Sequence, residues 1–249
     1  MAIPKRIQNR LVKGLKTYQP IVKKLRSRDV SEADTVTVIK DIFADIFGFE
    51  KYTELTSEQQ IRGTFCDLAV KVESKIHYLI EVKAAGVNLN SKHLKQAVNY
   101  GMHEGIEWVI LTNGIEWKIY KLRFVKPVEY TEVMSFSFCD LNPKSQDDLS
   151  QLHILCRESI TTDALAEYHK QAQIVNRFVV AELIQSDEVL RTVRRSMRRI
   201  FNNIKVSEEE LRIVICDGVL KRDVQEGDDP KKAKAAVRKA MNSYARKQE

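Results

Sequence analysis

The sequence predicts an α/β fold: a mixed central sheet flanked by helices, with a helical region after it. Apolar residues recur at three- and four-residue steps over the first 48 residues, strand-like periods begin at about residue 59, and strand signals stop at about residue 145. This succession is typical of a sheet covered by helices. Three regions are expected, namely a basic N-terminal helical segment at 1–30, the α/β core at 31–140 and a helical C-terminal region at 141–249.

The first predicted helix covers residues 5–27 and is basic. Its apolar residues share one face, and Pro20 is expected to interrupt it. The whole chain has 41 Lys and Arg against 34 Asp and Glu. No acidic residue precedes Asp29, whereas nine basic residues do, so a polyanionic partner is expected. These nine are Lys5, Arg6, Arg10, Lys13, Lys16, Lys23, Lys24, Arg26 and Arg28.

The remaining core elements follow in chain order. A second helix begins after Ser31, which can cap it, and stops at Gly48. FCDLAVKV and KIHYLIEVKA are β-rich runs joined by a few polar residues around 73–75, which predicts a hairpin. A helix capped by Asn90 or Ser91 reaches about residue 104, and the strands EWVILTN and IEWKIYKL flank an Asn-Gly turn at 113–114.

Composition excludes several classes of protein. The four cysteines form no CxxC pair, so neither a zinc knuckle nor a disulfide framework is indicated. No apolar run approaches the roughly 18 residues that a membrane span needs, and no secretory signal is visible. The basic N-terminus has the charge of an organelle transit peptide, but serine is scarce there. A cytoplasmic protein without a membrane partner is expected.

The charged residues Asp67, Glu81 and Lys83 interrupt the two apolar runs of the predicted hairpin. Alternate strand residues share a face, so Glu81 and Lys83 point the same way. A turn centred near Ser74 places Asp67 opposite Glu81. Two carboxylates about 4 Å apart repel by roughly 1–4 kcal/mol, which a divalent cation relieves. Carboxylate oxygens suit Mg²⁺ or Mn²⁺, and a neighbouring lysine can assist a water that attacks a phosphodiester.

A structural explanation of the same residues is also open. Short D…ExK spacings occur by chance in charged sequences, and Glu and Lys are ordinary on the wet face of a half-exposed strand. The neighbouring residues favour the functional interpretation, since they are apolar on both faces and charges are seldom buried without a partner.

Four segments in order, RGTFCDLAV, LIEVKA, QAVNYG and WVILTNGIEWKIY, resemble the PD-(D/E)xK nuclease core. The resemblance is to the form of that core at the N-terminus of the R subunit of type I restriction enzymes, and it covers about residues 30–125. It implies a restriction-endonuclease-like fold with the element order αβββαβ. It also implies a Mg²⁺-dependent nuclease acting on DNA, with Mn²⁺ as a substitute.

The resemblance also implies roles for individual residues. Asp67 and Glu81 match the metal ligands, Val82 would contribute its backbone carbonyl, and Lys83 matches the catalytic lysine. Gln96 and Tyr100 match a QxxxY element whose helical face borders the active site and DNA. Glu32 resembles a further acidic ligand on the first core helix, and Asp34 and Asp41 are alternatives for that role. A favourable interaction of Glu32 with the helix dipole is a structural explanation of the same residue.

Two departures from the family pattern stand out. Cys66 occupies the position at which the family motif has proline. This difference removes no metal ligand. The chain also has no GxxxxGK[ST] phosphate loop, so ATP-driven translocation is not expected of this polypeptide.

The segment LRTVRRSMRRIF is a second candidate contact with nucleic acid. Its arginines line one side of a helix beside an apolar side. A solvated charged face is the alternative explanation. The arginines are Arg191, Arg194, Arg195, Arg198 and Arg199.

The sequence thus predicts a metal-dependent nuclease without its own motor, and endonuclease cleavage is expected. The alternative is a catalytically silent nucleic-acid-binding or regulatory module on the same scaffold, because a scaffold does not dictate activity. Either protein could join the subunits of a restriction or repair complex, with the helical C-terminal region as the expected contact.

Overall fold

A computed structural model of the protein describes residues 3–28, 30–61, 64–125, 128–202 and 204–246, without the side chains of 58–65 and 245. The chain forms two compact units, Met1–Glu167 and Tyr168–Glu249. This division differs from the predicted one. The first unit contains the basic N-terminal helix and the core together, and it extends beyond residue 140.

Two helices precede the sheet, as predicted: α1 (Lys5–Ser27) and α2 (Glu32–Asp45). The Ser31 hydroxyl caps α2 by accepting a hydrogen bond from the Asp34 N–H. The predicted interruption at Pro20 is wrong, because α1 continues through it. Buried residues on both sides of the proline, Tyr18 and Val22, hold the helix against the core, and tertiary packing outweighs the lost backbone hydrogen bond.

A six-stranded mixed sheet forms the centre of the first unit, and its strands lie side by side in chain order. Neighbouring strands are antiparallel except β3 and β4, which are parallel and joined by the crossover helix α3. The α/β class with a mixed sheet is therefore confirmed, while the restriction-endonuclease-like arrangement stays a prediction. The elements are β1 (Leu55–Ile61), β2 (Thr64–Val72), β3 (Lys75–Val82), α3 (Ser91–Glu104), β4 (Trp108–Thr112), β5 (Glu116–Arg123) and β6 (Glu129–Ser137).

The predicted hairpin is formed by β2 and β3. Leu68 pairs with Ile80 and Ala69 with Leu79, which is the register that a turn centred near Ser74 predicts. Glu73 and Ser74 have positive φ values of 49° and 66°, as a tight two-residue hairpin turn requires. A bulge between Val70 and Lys71 absorbs the change of register next to the turn.

Helices cover both faces of the sheet. Leu94, Ala97 and Tyr100 of α3 pack with Leu79 and Leu111 in one buried cluster. On the opposite face, the fully buried Trp117 of β5 contacts Phe43 and Phe47, with ring centroids 5.8 Å apart in both pairs. The C-terminal end of α2 thereby packs on the face of the sheet opposite to α3.

Only helices and loops follow residue 140 in the part of the chain that the structure describes. Among the described residues, no helix is long and apolar enough to cross a membrane. The helices are α4 (Gln146–His153), α5 (Arg157–Ile160), α6 (Ala164–Ile174), α7 (Arg177–Ile184), α8 (Asp187–Ile200), α9 (Glu208–Val214) and α10 (Asp228–Ala245).

Candidate active site

Asp67 and Glu81 lie on adjacent antiparallel strands. The ladder between the two strands ends at the pair Leu68 and Ile80, and the next step of the same register corresponds to Asp67 and Glu81. The two carboxylates are close enough for the charge of Asp67 to raise the pKa of Glu81. Asp67 Oδ2 accepts a hydrogen bond of 2.7 Å from the Val82 N–H. This bond fixes the Asp67 carboxylate against the end of β3.

Glu81 is a charged residue inside the sheet, with 2% of its surface exposed. Burial and the neighbouring charge of Asp67 raise its pKa from 4.5 to about 7, although Lys83 acts in the opposite direction. Its Oε2 atom is buried and accepts no hydrogen bond from any described residue. A buried carboxylate oxygen without a donor is unfavourable unless a cation or a proton satisfies it.

Lys83 connects the second strand of the hairpin to α2. Its Nζ lies 2.8 Å from Glu81 Oε1 and 3.4 Å from Glu32 Oε2. Burial alone would lower the lysine pKa, but Glu81, Asp67 and Glu32 together raise it, so the side chain is an ammonium at neutral pH. When all three carboxylates are ionised, the single ammonium leaves two formal negative charges, which a divalent cation would balance.

The structure distinguishes the three acidic candidates on α2. Glu32 reaches Lys83, whereas the other two have different contacts. Asp34 Oδ2 accepts a hydrogen bond of 2.7 Å from the Ser31 hydroxyl in the N-terminal cap, and Asp41 pairs with Lys51. Glu32 is therefore the acidic residue of α2 that the fold brings to the site.

The two predicted residues of α3 have different environments. Gln96 is exposed on the helix surface. Tyr100 is fully buried in the cluster between α3 and the sheet, and its hydroxyl has no hydrogen-bond partner among the described residues. Contact between Tyr100 and nucleic acid would require the ring to leave this cluster, and that role stays a prediction.

Two further residues help to position the site. The Lys83 N–H donates a hydrogen bond of 2.8 Å to the carbonyl of Thr112, which anchors the residue just after β3 to β4. The sequence did not indicate this role of Thr112, because every residue has a backbone carbonyl that can accept a hydrogen bond. Cys66 is buried beside Asp67, and burial raises the pKa of its thiol to about 12. The thiol donates a hydrogen bond of 3.2 Å to the Ile80 carbonyl. Cys66 therefore packs as a neutral residue.

The donor set fits a hard divalent cation. Asp67 and Glu81 would contribute carboxylate oxygens, including the unpartnered Oε2, and Val82 would contribute its carbonyl. The described residues contain no group of three or more His, Cys, Asp or Glu placed to hold a metal ion. The candidate set therefore has two carboxylates, and water or substrate oxygens would complete it, as is usual for Mg²⁺.

The predicted arginine stripe lies on α8 in the second unit. Arg191 and Arg194 lie 3.7 Å and 3.1 Å from carboxylate oxygens of Glu208, whereas Arg195, Arg198 and Arg199 are exposed. Part of the stripe thus stabilises contact between α8 and α9. Its binding to nucleic acid stays a prediction.

Residues 49–136 match the family model described as the type I restriction enzyme R protein N terminus (HSDR_N). The match covers about a third of the chain and includes Asp67, Glu81, Val82, Lys83, Gln96 and Tyr100. No curated protein and no solved structure matches the chain. The central part of this chain is therefore similar to the N-terminal region of restriction-enzyme R proteins.

Proposed function

We propose that the protein is a Mg²⁺-dependent nuclease that hydrolyses phosphodiester bonds in DNA. One observation carries the proposal: the buried Glu81 carboxylate lies beside Asp67 and Lys83, and its Oε2 accepts no hydrogen bond from the described residues. An ion pair with only a structural role would need neither a second carboxylate nor a buried carboxylate oxygen without a hydrogen-bond donor at the same place. The similarity of residues 49–136 to the restriction-enzyme R protein N terminus supports the same chemistry.

Each residue has a defined part in the proposed reaction. Asp67 and Glu81 would hold the cation, with the Val82 carbonyl as a further ligand. A bound Mg²⁺ would supply Lewis-acid stabilisation of the charge that develops on the phosphate. Lys83 would place its ammonium at the reacting phosphate, where it orients the attacking water and stabilises negative charge. Glu32 holds Lys83 from the side of α2, and Gln96 is proposed to orient the lysine or the phosphate.

Cleavage of two substrates tests the proposal. Supercoiled plasmid and linear single-stranded DNA are incubated with the full chain in Mg²⁺, Mn²⁺ or EDTA, and Glu81→Gln is run in parallel. The expected result is cleavage with either metal, none in EDTA and none by the variant. Salt-sensitive DNA binding without cleavage in any metal would contradict the nuclease and favour a catalytically silent nucleic-acid-binding module.

A further inference from the structure

We propose that four basic residues at the C-terminal end of α1 bind the phosphate backbone of a DNA strand beside the candidate active site. We call Lys23, Lys24, Arg26 and Arg28 the α1-end cluster. The identity of the bound polyanion as the DNA substrate rests on the proposed function. The position and the charge of the cluster do not.

The last turns of α1 pack next to the end of the sheet that carries the site. A Cβ atom added to Gly114 would lie 3.5 Å from Val22 Cγ1 of α1, so the Val22 side chain packs against the Gly114 backbone. Gly114 donates a hydrogen bond of 2.9 Å to the hydroxyl of Thr112, and the Thr112 carbonyl accepts one from the Lys83 N–H. Val22 is thus connected to Lys83 through two residues of the adjoining strand and turn.

The other end of the segment reaches the site itself. Glu32 begins α2, and its carboxylate is 3.4 Å from the Lys83 ammonium. Arg28 precedes Glu32 by four residues, so their Cα atoms are at most about 14 Å apart even in a fully extended chain. The α1-end cluster therefore lies between two points, Val22 and Glu32, that are both fixed next to the site.

The end of α1 is held firmly in the first unit. The Gln19 side chain donates hydrogen bonds of 3.0 Å and 2.7 Å to the carbonyls of Phe138 and Leu141. The Tyr18 hydroxyl donates to the Asp45 carboxylate on α2. Charges that are presented from a fixed helix can bind a phosphate without first ordering a loop.

The cluster is exposed, and none of its four side chains forms a salt bridge within the described residues. Two other cations of the first unit, by contrast, already have carboxylate partners. Arg10, on the same helix, pairs with Glu158 at 2.7 Å, and Lys83 pairs with Glu81. Lysine and arginine that have no carboxylate partner are the side chains that contact phosphates and release counterions.

Stabilisation of the helix dipole explains only part of this arrangement. Basic residues in a last turn interact favourably with the partial negative charge there, which accounts for Lys24 and Arg26. This explanation predicts that their removal lowers the melting temperature and leaves DNA binding unchanged. Phosphate binding predicts instead that their removal weakens DNA binding and changes the melting temperature little. The two explanations can therefore be separated by experiment.

The test is DNA binding by the full chain in EDTA, where no metal-dependent cleavage can occur. A variant with all four cluster residues changed to Gln is compared with a matched variant in which Lys5, Arg6, Lys13 and Lys16, also exposed on α1, are changed to Gln. Affinity for a labelled duplex is measured by fluorescence anisotropy at several salt concentrations. Thermal unfolding of both variants confirms that they fold.

The cluster variant is expected to bind at least about tenfold more weakly, and its slope of log K against log salt should fall by about 2–4, since each phosphate contact contributes roughly 0.9. The matched variant should lose less than about threefold. Equal losses in both variants, or an unchanged slope in the cluster variant, would overturn the proposal. A parent protein that binds DNA through the cluster but never cleaves it would overturn the proposed function alone.

Discussion

The Val82 N–H donates a hydrogen bond of 2.7 Å to Asp67 Oδ2. This contact links the end of β3 to β2 at the place where Glu81 and Lys83 flank Val82. The Asp67 carboxylate therefore lies beside the segment that carries the ion pair of Glu81 and Lys83.

Asp67→Asn should remove metal binding while keeping the fold. The amide oxygen of asparagine can still accept the Val82 hydrogen bond, but the side chain no longer carries a charge for a cation. We expect a melting temperature within a few degrees of the parent, by circular dichroism, and cleavage lower by on the order of 100-fold or more. Asp140→Asn, at an exposed position, is the control, and an Asp67→Asn variant that cuts as fast as this control would refute the role of Asp67.

Glu81 should make the metal-free protein less stable at higher pH. Its folded pKa of about 7 lies above the ordinary 4.5, so its effect on the free energy of unfolding is fully favourable below about pH 4.5 and is lost as the pH rises through 7. The loss should be on the order of 3 kcal/mol at most. Urea denaturation at pH 5.5 and 8.5 in EDTA should show this fall for the parent and a smaller one for Glu81→Gln.

Identical pH dependence in the parent and the Glu81→Gln variant would show that Glu81 does not titrate in this range. Lys83→Ala is expected to steepen the fall, because it removes the ammonium that favours the ionised carboxylate.

Mg²⁺ should stabilise the protein more at pH 8 than at pH 6. The cation competes with a proton for the Glu81 carboxylate, so its affinity rises with pH while this group titrates. Differential scanning fluorimetry with and without millimolar Mg²⁺ should show a larger increase in melting temperature at pH 8, and Asp67→Asn should show almost none. An equal increase in the variant would place the bound cation elsewhere.

Gly14→Ala should destabilise the first unit, although alanine is the better helix former. A Cβ at Gly14 would lie 2.4 Å from Ile46 Cγ1, so the close approach of α1 to the end of α2 would have to open. The cost of overpacking is typically about 1–3 kcal/mol and exceeds the roughly 1 kcal/mol gained in helix propensity. Chemical denaturation measures this cost, and Gly218→Ala, in open space, is the control. Ile46→Ala, which removes the Cγ1 atom, should partly rescue the variant.

Local signals in the sequence were sufficient to predict several elements of secondary structure around the candidate site. Ser31, Asn90 and the turn at 113–114 are local signals that do not depend on distant contacts. The register of Asp67 and Glu81 followed from the position of the hairpin turn, because a two-residue turn fixes which residues pair.

Other features depend on contacts that a sequence pattern does not contain. The residue pattern did not predict β6, which is largely exposed and is stabilised by its pairing with β5. Strand β1 was expected only as one of the three successive strands in the order αβββαβ that the family resemblance implies. The continuation of α1 through Pro20 depends on burial of Tyr18 and Val22. The preference for Glu32 over Asp34 and Asp41 required the positions of Lys83, Ser31 and Lys51.

The central claim is that Asp67, Glu81 and Lys83 form a phosphodiester-cleaving site, and Lys83→Ala tests it most directly. The rate of Mg²⁺-dependent plasmid cleavage is compared between this variant, the parent and Lys75→Ala, which removes an exposed lysine from the opposite end of the same strand. We predict a loss on the order of 100-fold or more for Lys83→Ala with DNA binding retained, and little change for Lys75→Ala. Cleavage by Lys83→Ala at the rate of the parent would contradict the account.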